Sequence, residues 1–93
     1  MESYNNHISG IRSYEICNKA NAIAVIFKGG NEVFVFEGNR IGIDHLETMQ
    51  KLAKQQDGLG RYLSKNQAIR KNFSKMYADA DEYKKLYRHT TMH

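Results

Sequence analysis

Few residues in this 93-residue chain have the types and spacings that chemistry requires. His89 and His93 stand i, i+4, which lets two imidazoles share a metal ion on a helix, but no third ligand accompanies them. His45 follows an expected helix start and reads as a surface residue rather than a general base. Cys17, the only cysteine, ends a strand-like run, where a thiol behaves as a small apolar group. The strings G-x-S-x-G, G-x-x-x-x-G-K-[ST] and H-E-x-x-H do not occur. In "GLGRYL", Leu63 stands where the third glycine of a dinucleotide fingerprint belongs. The chain therefore reads as a binding module and not an enzyme, with no catalytic residue, metal or cofactor expected.

What remains is positive charge. Residues 1–48 carry four bases and six acids, whereas residues 49–93 carry ten bases and four acids. Lys51, Lys54, Arg61, Lys65, Arg70, Lys71 and Lys75 accompany a single acid, Asp57, within residues 51–75. A localised positive field of this kind draws anions. At the helical repeat, Ile69, Phe73, Met76 and Tyr77 share one arc of residues 61–77. Arg61, Lys65, Lys71 and Lys75 then share the side away from that arc, with Arg70 flanking it. A merely solvated helix face normally mixes both signs, yet no acid occurs from Ser64 to Ala78. The expected phosphate contacts are Arg61, Lys65, Lys71 and Lys75, with Lys51, Lys54 and Arg70 at the margin. Tyr62, beside Arg61, is either a ring on which a base stacks or a plug between helix and sheet.

The elements that must position these residues divide by hydrophobic period. "IRSYEIC" (11–17), "NAIAVIFKG" (21–29) and "EVFVF" (32–36) read as strands. Tyr14 and Ile16 share one face of the first, and Ile23, Val25 and Phe27 one face of the second, with Ile26 on the other. Short Asn/Gly loops between them suit hairpins, which predicts a three-stranded antiparallel meander. Beyond "EGNRIG" the period becomes helical, and Leu46, Met49 and Ala53 form a buried stripe. Three D/S-x-x-E/Q patterns, Asp44 with Glu47, Ser64 with Gln67 and Asp79 with Glu82, predict helix starts. "DGLG" (57–60) predicts a stop, with Gly60 in a positive-φ or tightly packed turn. The stretch from Asp79 is either a separate last helix or a continuation of the second.

The expected fold is α+β: a three-stranded antiparallel β-meander followed by two or three helices packed on one face. The chain length suits one domain over residues 1–93. No apolar run approaches the ~20 residues of a membrane helix, so no membrane partner is expected. "MESYNNHISG" has neither the basic nor the apolar region of a signal peptide, and a lone cysteine makes no internal disulfide; a cytoplasmic setting is expected.

The order of motifs resembles the KTSC domain, a small module that occurs at the C-terminus of some lysyl-tRNA synthetases and alone in bacterial and phage proteins. The family's "I-x-S" corresponds to Ile11 and Ser13, and its strand ending "F-x-x-G" to Phe27 and Gly30. Its central Y-x-Y falls on Phe34 and Phe36, its "G-x-Y-F" on Gly60, Tyr62 and Leu63, and its "N-x-x-I-R" on Asn66, Ile69 and Arg70. The likeness covers about residues 8–75; phenylalanine replaces both central tyrosines, the proline usual after them is missing, and residues 79–93 form a C-terminal helical extension outside the pattern. It implies a bacterial or phage module that binds RNA. Two functions follow from the charge and the resemblance together. One is non-enzymatic binding of RNA or another polyanion through a basic helix face. The other is a phage or mobile-element protein whose basic face docks on an acidic surface of a host protein, a nucleic-acid enzyme or a defence complex, and inhibits it.

Overall fold

The computed structural model describes residues 1–5 and 10–88 and, at Arg88, the backbone alone. The spacing of His89 and His93 lies outside the described residues. The chain forms an antiparallel sheet of five strands in sequence order: β1 (Glu2–Ser3), β2 (Ile11–Cys17), β3 (Ala22–Phe27), β4 (Val33–Glu37) and β5 (Lys75–Tyr77). Between β4 and β5 lie α1 (Gly38–Ile41), α2 (Ile43–Gln55), α3 (Leu59–Lys65) and α4 (Gln67–Arg70), and after β5 come α5 (Ala80–Tyr83) and a π-helical turn, Lys84–Arg88. The α+β class stands, and the expected meander is the central part of a wider sheet. Among the described residues no helix is long and apolar enough to cross a membrane.

The alternation of β2, β3 and β4 sorts their side chains onto two faces. Ile11, Tyr14, Ile23, Val25 and Phe36 point to the side covered by Leu46, Met49 and Ala53 of α2 and by Leu59 and Leu63 of α3. Phe34 and Phe73 pack against this core at its margin. Cys17, Ala22, Ala24, Ile26, Val33 and Val35 point the other way.

That second face overturns the expectation of helices on one side only. Tyr83 of α5 and Tyr87 of the π-helical turn lie over it with Tyr77 of β5, and all three rings are buried. The physical reason is written in β3: "AIAVIF" is apolar on both faces, so each must be covered. The alanines leave room for rings, and Tyr77, Tyr83 and Tyr87 pack mutually with centroids 5.8–6.1 Å apart.

The second correction concerns the basic helix. Instead of one helix running from Ser64 through Tyr77, α3 ends at Lys65, α4 makes a single turn, and Lys75–Tyr77 is a strand. Asparagine side chains supply the breaks by competing with the backbone ladder. Asn66 (φ −116°, ψ 66°) donates from its amide to the Tyr62 carbonyl at 2.8 Å. Asn72 accepts from Arg40 Nε at 2.8 Å and donates to the Arg40 carbonyl at 3.1 Å. Beyond it Ser74 N donates to the Val35 carbonyl, and Val33, Phe34 and Val35 pair with Tyr77, Met76 and Lys75. Pairing satisfies the β4 edge, which a helix would have left open.

The capping expectations divide. Asp79 is the N-cap of α5, accepting from Glu82 N at 2.9 Å, while the Glu82 carboxylate accepts from Ala78 N at 3.1 Å. Asp44 caps nothing: α2 starts after Gly42, whose φ of 100° suits glycine. Ser64 lies within α3, and its carbonyl accepts from the Gln67 side chain. The positive φ expected at Gly60 belongs to Gly58 (φ 89°), with Gly60 inside α3.

Candidate anion-binding cleft

The hairpin "FKGGNE" and the start of α3 build a concavity. Gly29 takes a positive φ (89°), Gly30 N closes on the Phe27 carbonyl, and Lys28 N donates to the Gly10 carbonyl at 2.9 Å. Lys28 therefore emerges at the end of the sheet where β2 begins and β3 ends. α3 reaches the same end because Gly58 turns the chain sharply after α2 and Leu59 is buried in the core. Tyr4 reinforces this seat, its hydroxyl accepting from Leu59 N at 3.3 Å.

Between these walls lies a cleft of about 510 Å3. The sheet contributes Ile11, Phe27 and Lys28, and the helical wall contributes Arg61, Ser64, Gln67 and Arg70, with Asp57 at the turn. Arg70 is held by stacking: its guanidinium carbon is 4.7 Å from the Phe27 ring centroid. Phe27 is steadied in turn by Phe34, edge to face at 5.5 Å, and Phe34 by Phe73 at 5.0 Å.

The arginines differ in how their donors are used. Arg12 donates to Asn31 and Arg40 to Asn72. No hydrogen bond or ion pair joins the guanidinium of Arg61 or Arg70 to a described residue, and both residues line the cleft. Each guanidinium presents five N–H donors in a planar fork. Lined by Lys28, Arg61 and Arg70 with Asp57 as the one described acid, the cleft is formally net positive by two. Such an arrangement attracts and orients an oxyanion.

The residues expected to form one basic face are thus divided. Arg61 and Arg70 come together. Lys65 and Lys71 are exposed at the ends of α3 and α4, next to the cleft in sequence but outside its lining, and Lys51 and Lys54 are exposed on α2. Lys75 belongs to the opposite face: it pairs with Val35, and its ammonium lies 5.4 Å from the Tyr87 ring centroid. Tyr62 is half-buried against the core, and its hydroxyl is 2.6 Å from His45 Nδ1. This geometry matches the plug rather than a free stacking ring. Lys28 and Phe27 are the functional candidates that charge counting missed. The available signal was local: a base directly following a strand that ends in an aromatic residue, at a glycine turn.

Among the described residues no group of three or more His, Cys, Asp or Glu side chains could hold a metal ion. No family model, curated protein or solved structure matches the chain.

Proposed function

We propose that this protein is a non-enzymatic, cytoplasmic module that binds RNA through its phosphates, with Arg61, Arg70 and Lys28 as the contacting bases. The observation that carries the reading is the pair of arginines lining one cleft with no acceptor among the described residues for either guanidinium. Guanidinium groups on a concave surface that have no described protein acceptor are well suited to phosphate oxygens. The resemblance to the KTSC domain points the same way, since its "N-x-x-I-R" ends on Arg70 and its "G-x-Y-F" begins at Gly60, both in the cleft wall. Lys65, Lys71, Lys51 and Lys54 extend the positive field around the site and act on association rather than on geometry.

Titrating labelled single-stranded RNA at two salt concentrations tests this. Each phosphate neutralised contributes about −0.7 to the log–log slope, so two or three contacts give roughly −2. Saturable binding to one acidic host protein, with no affinity for RNA at low salt, would replace this reading with the inhibitory one.

A further inference from the structure

We infer that the cleft seats a phosphate monoester, the terminal phosphate of a strand or of a free mononucleotide, in preference to an internal diester. The inference rests on the proposed anion-binding role of the cleft and goes beyond it in naming the ligand's charge and position. Three observations carry it.

The first is charge. Lys28, Arg61 and Arg70 against Asp57 give the lining a formal +2. A phosphate monoester carries roughly −1.5 to −2 at neutral pH, whereas an internal diester carries a single charge. A monoester matches that charge with a single group, which one diester does not.

The second is extent. A space of about 510 Å3 walled by the β2–β3 end of the sheet and by α3 and α4 falls in the range of small-ligand sites, about 300–1,000 Å3. It holds one nucleotide-sized group. A continuous backbone needs bases repeated along a track, and here Lys51, Lys54, Lys65 and Lys71 lie outside the lining while Lys75 stands on the far side of the sheet.

The third is geometry. The Arg70 guanidinium sits over the Phe27 ring, and Arg61 joins it in the same lining with no acceptor among the described residues. Two guanidinium forks engage an oxyanion best when it offers three terminal oxygens, as a monoester does, rather than the two of a diester. Ser64 and Gln67 in the same lining supply neutral partners for the ester oxygen or a sugar hydroxyl.

The test compares short single-stranded RNAs of one sequence carrying a 5′-phosphate, a 3′-phosphate or neither, with adenosine monophosphate and adenosine as competitors. A terminal phosphate is expected to raise affinity roughly tenfold, about the strength of one charge-assisted hydrogen bond. Adenosine monophosphate should displace the strand and adenosine should not. Arg61→Gln should abolish the advantage of the terminal phosphate without lowering the melting temperature, because the side chain is exposed. Equal affinity for all three strands overturns the monoester inference and leaves polyanion binding standing. Binding of adenosine monophosphate, seen as chemical-shift changes at Phe27 and Arg70, with no strand bound, keeps the inference and overturns the RNA reading. No binding of strand or mononucleotide overturns both.

Discussion

The Arg70 guanidinium lies over the Phe27 ring at 4.7 Å, joining the last residue of α4 to the last residue of β3. This contact turns a flexible surface base into one side of a defined cleft. Lysine carries the same charge but lacks the flat, weakly hydrated group that stacks and the fork that binds two oxygens. Arg70→Lys is therefore expected to weaken RNA binding several-fold. Its melting temperature should fall little, since an exposed cation–π contact is worth about 0.5–1 kcal/mol. Affinity equal to wild type would show that charge alone matters at this position.

Phe34 and Phe36 share a face of β4 but differ in setting. Phe36 is fully buried in the core, whereas Phe34 is half-buried between Phe27 and Phe73. Phe36→Ala should cost about 3–5 kcal/mol in denaturant unfolding, as for other buried aromatics. Phe34→Ala should cost less and, by loosening Phe27 beneath Arg70, also reduce RNA affinity. A larger stability loss at Phe34 than at Phe36 would contradict this division.

The opposite face carries a different dependence. The Tyr83 hydroxyl donates to the Glu15 carboxylate and lies 3.1 Å from Cys17 Sγ, and Tyr87 donates to Glu37 at 3.2 Å. Burial above all pushes the Tyr83 phenol up, helped by the hydrogen bonds with Cys17 and Glu15. Burial likewise raises Tyr87, followed by the nearby charge of Glu37. Folding thus holds protons that the unfolded chain gives up above the ordinary tyrosine value of about 10. The unfolded state then binds fewer protons, and stability falls as pH rises past that value. The melting temperature should stay level below it and decline above it. A Tyr83→Phe, Tyr87→Phe double variant should be less stable at neutral pH and show a shallower alkaline decline. An unchanged decline would remove these two phenols from the account.

Gly58 controls where α3 begins. Its φ is 89°, and a Cβ there would lie 3.3 Å from Leu52 Cδ2. Gly58→Ala should cost about 1–2 kcal/mol, the penalty for a left-handed residue with a side chain, and should displace the helical wall of the cleft. Chemical denaturation and RNA titration of the same variant would read both effects. An unchanged midpoint would show that the turn tolerates a side chain.

How much of this was legible follows from whether local or distant groups decide each element. β2, β3 and β4 were readable because alternation is a local property: Ile23, Val25 and Phe27 on one face and Ile26 on the other are visible in six residues. The Asp79 cap was readable for the same reason, since it acts over three residues. β5 was not. Ile69, Phe73, Met76 and Tyr77 fit a helical arc, and only pairing with the distant β4 makes Lys75–Tyr77 extended. The pairing sends Met76 and Tyr77 to opposite faces and leaves Met76 half exposed, at 53%. The helical-wheel reading grouped Lys75 with Arg61 for that reason alone. Lys28 joined the cleft through a hairpin placed against α3, a contact across more than thirty residues that no spacing reports.

The separation of Lys75 from Arg61 gives the most direct test of the central claim. Affinity for single-stranded RNA should be measured for wild type, Arg61→Gln and Lys75→Glu at two salt concentrations. Removing Arg61 should weaken binding and make the salt slope shallower, because less phosphate charge is neutralised. Lys75→Glu should remain within about twofold of wild type despite the larger change in net charge, because Lys75 lies on the other face of the sheet. Equal losses in both variants would mean that RNA responds to overall charge rather than to the cleft. No RNA binding by the wild type at low salt would contradict the account outright.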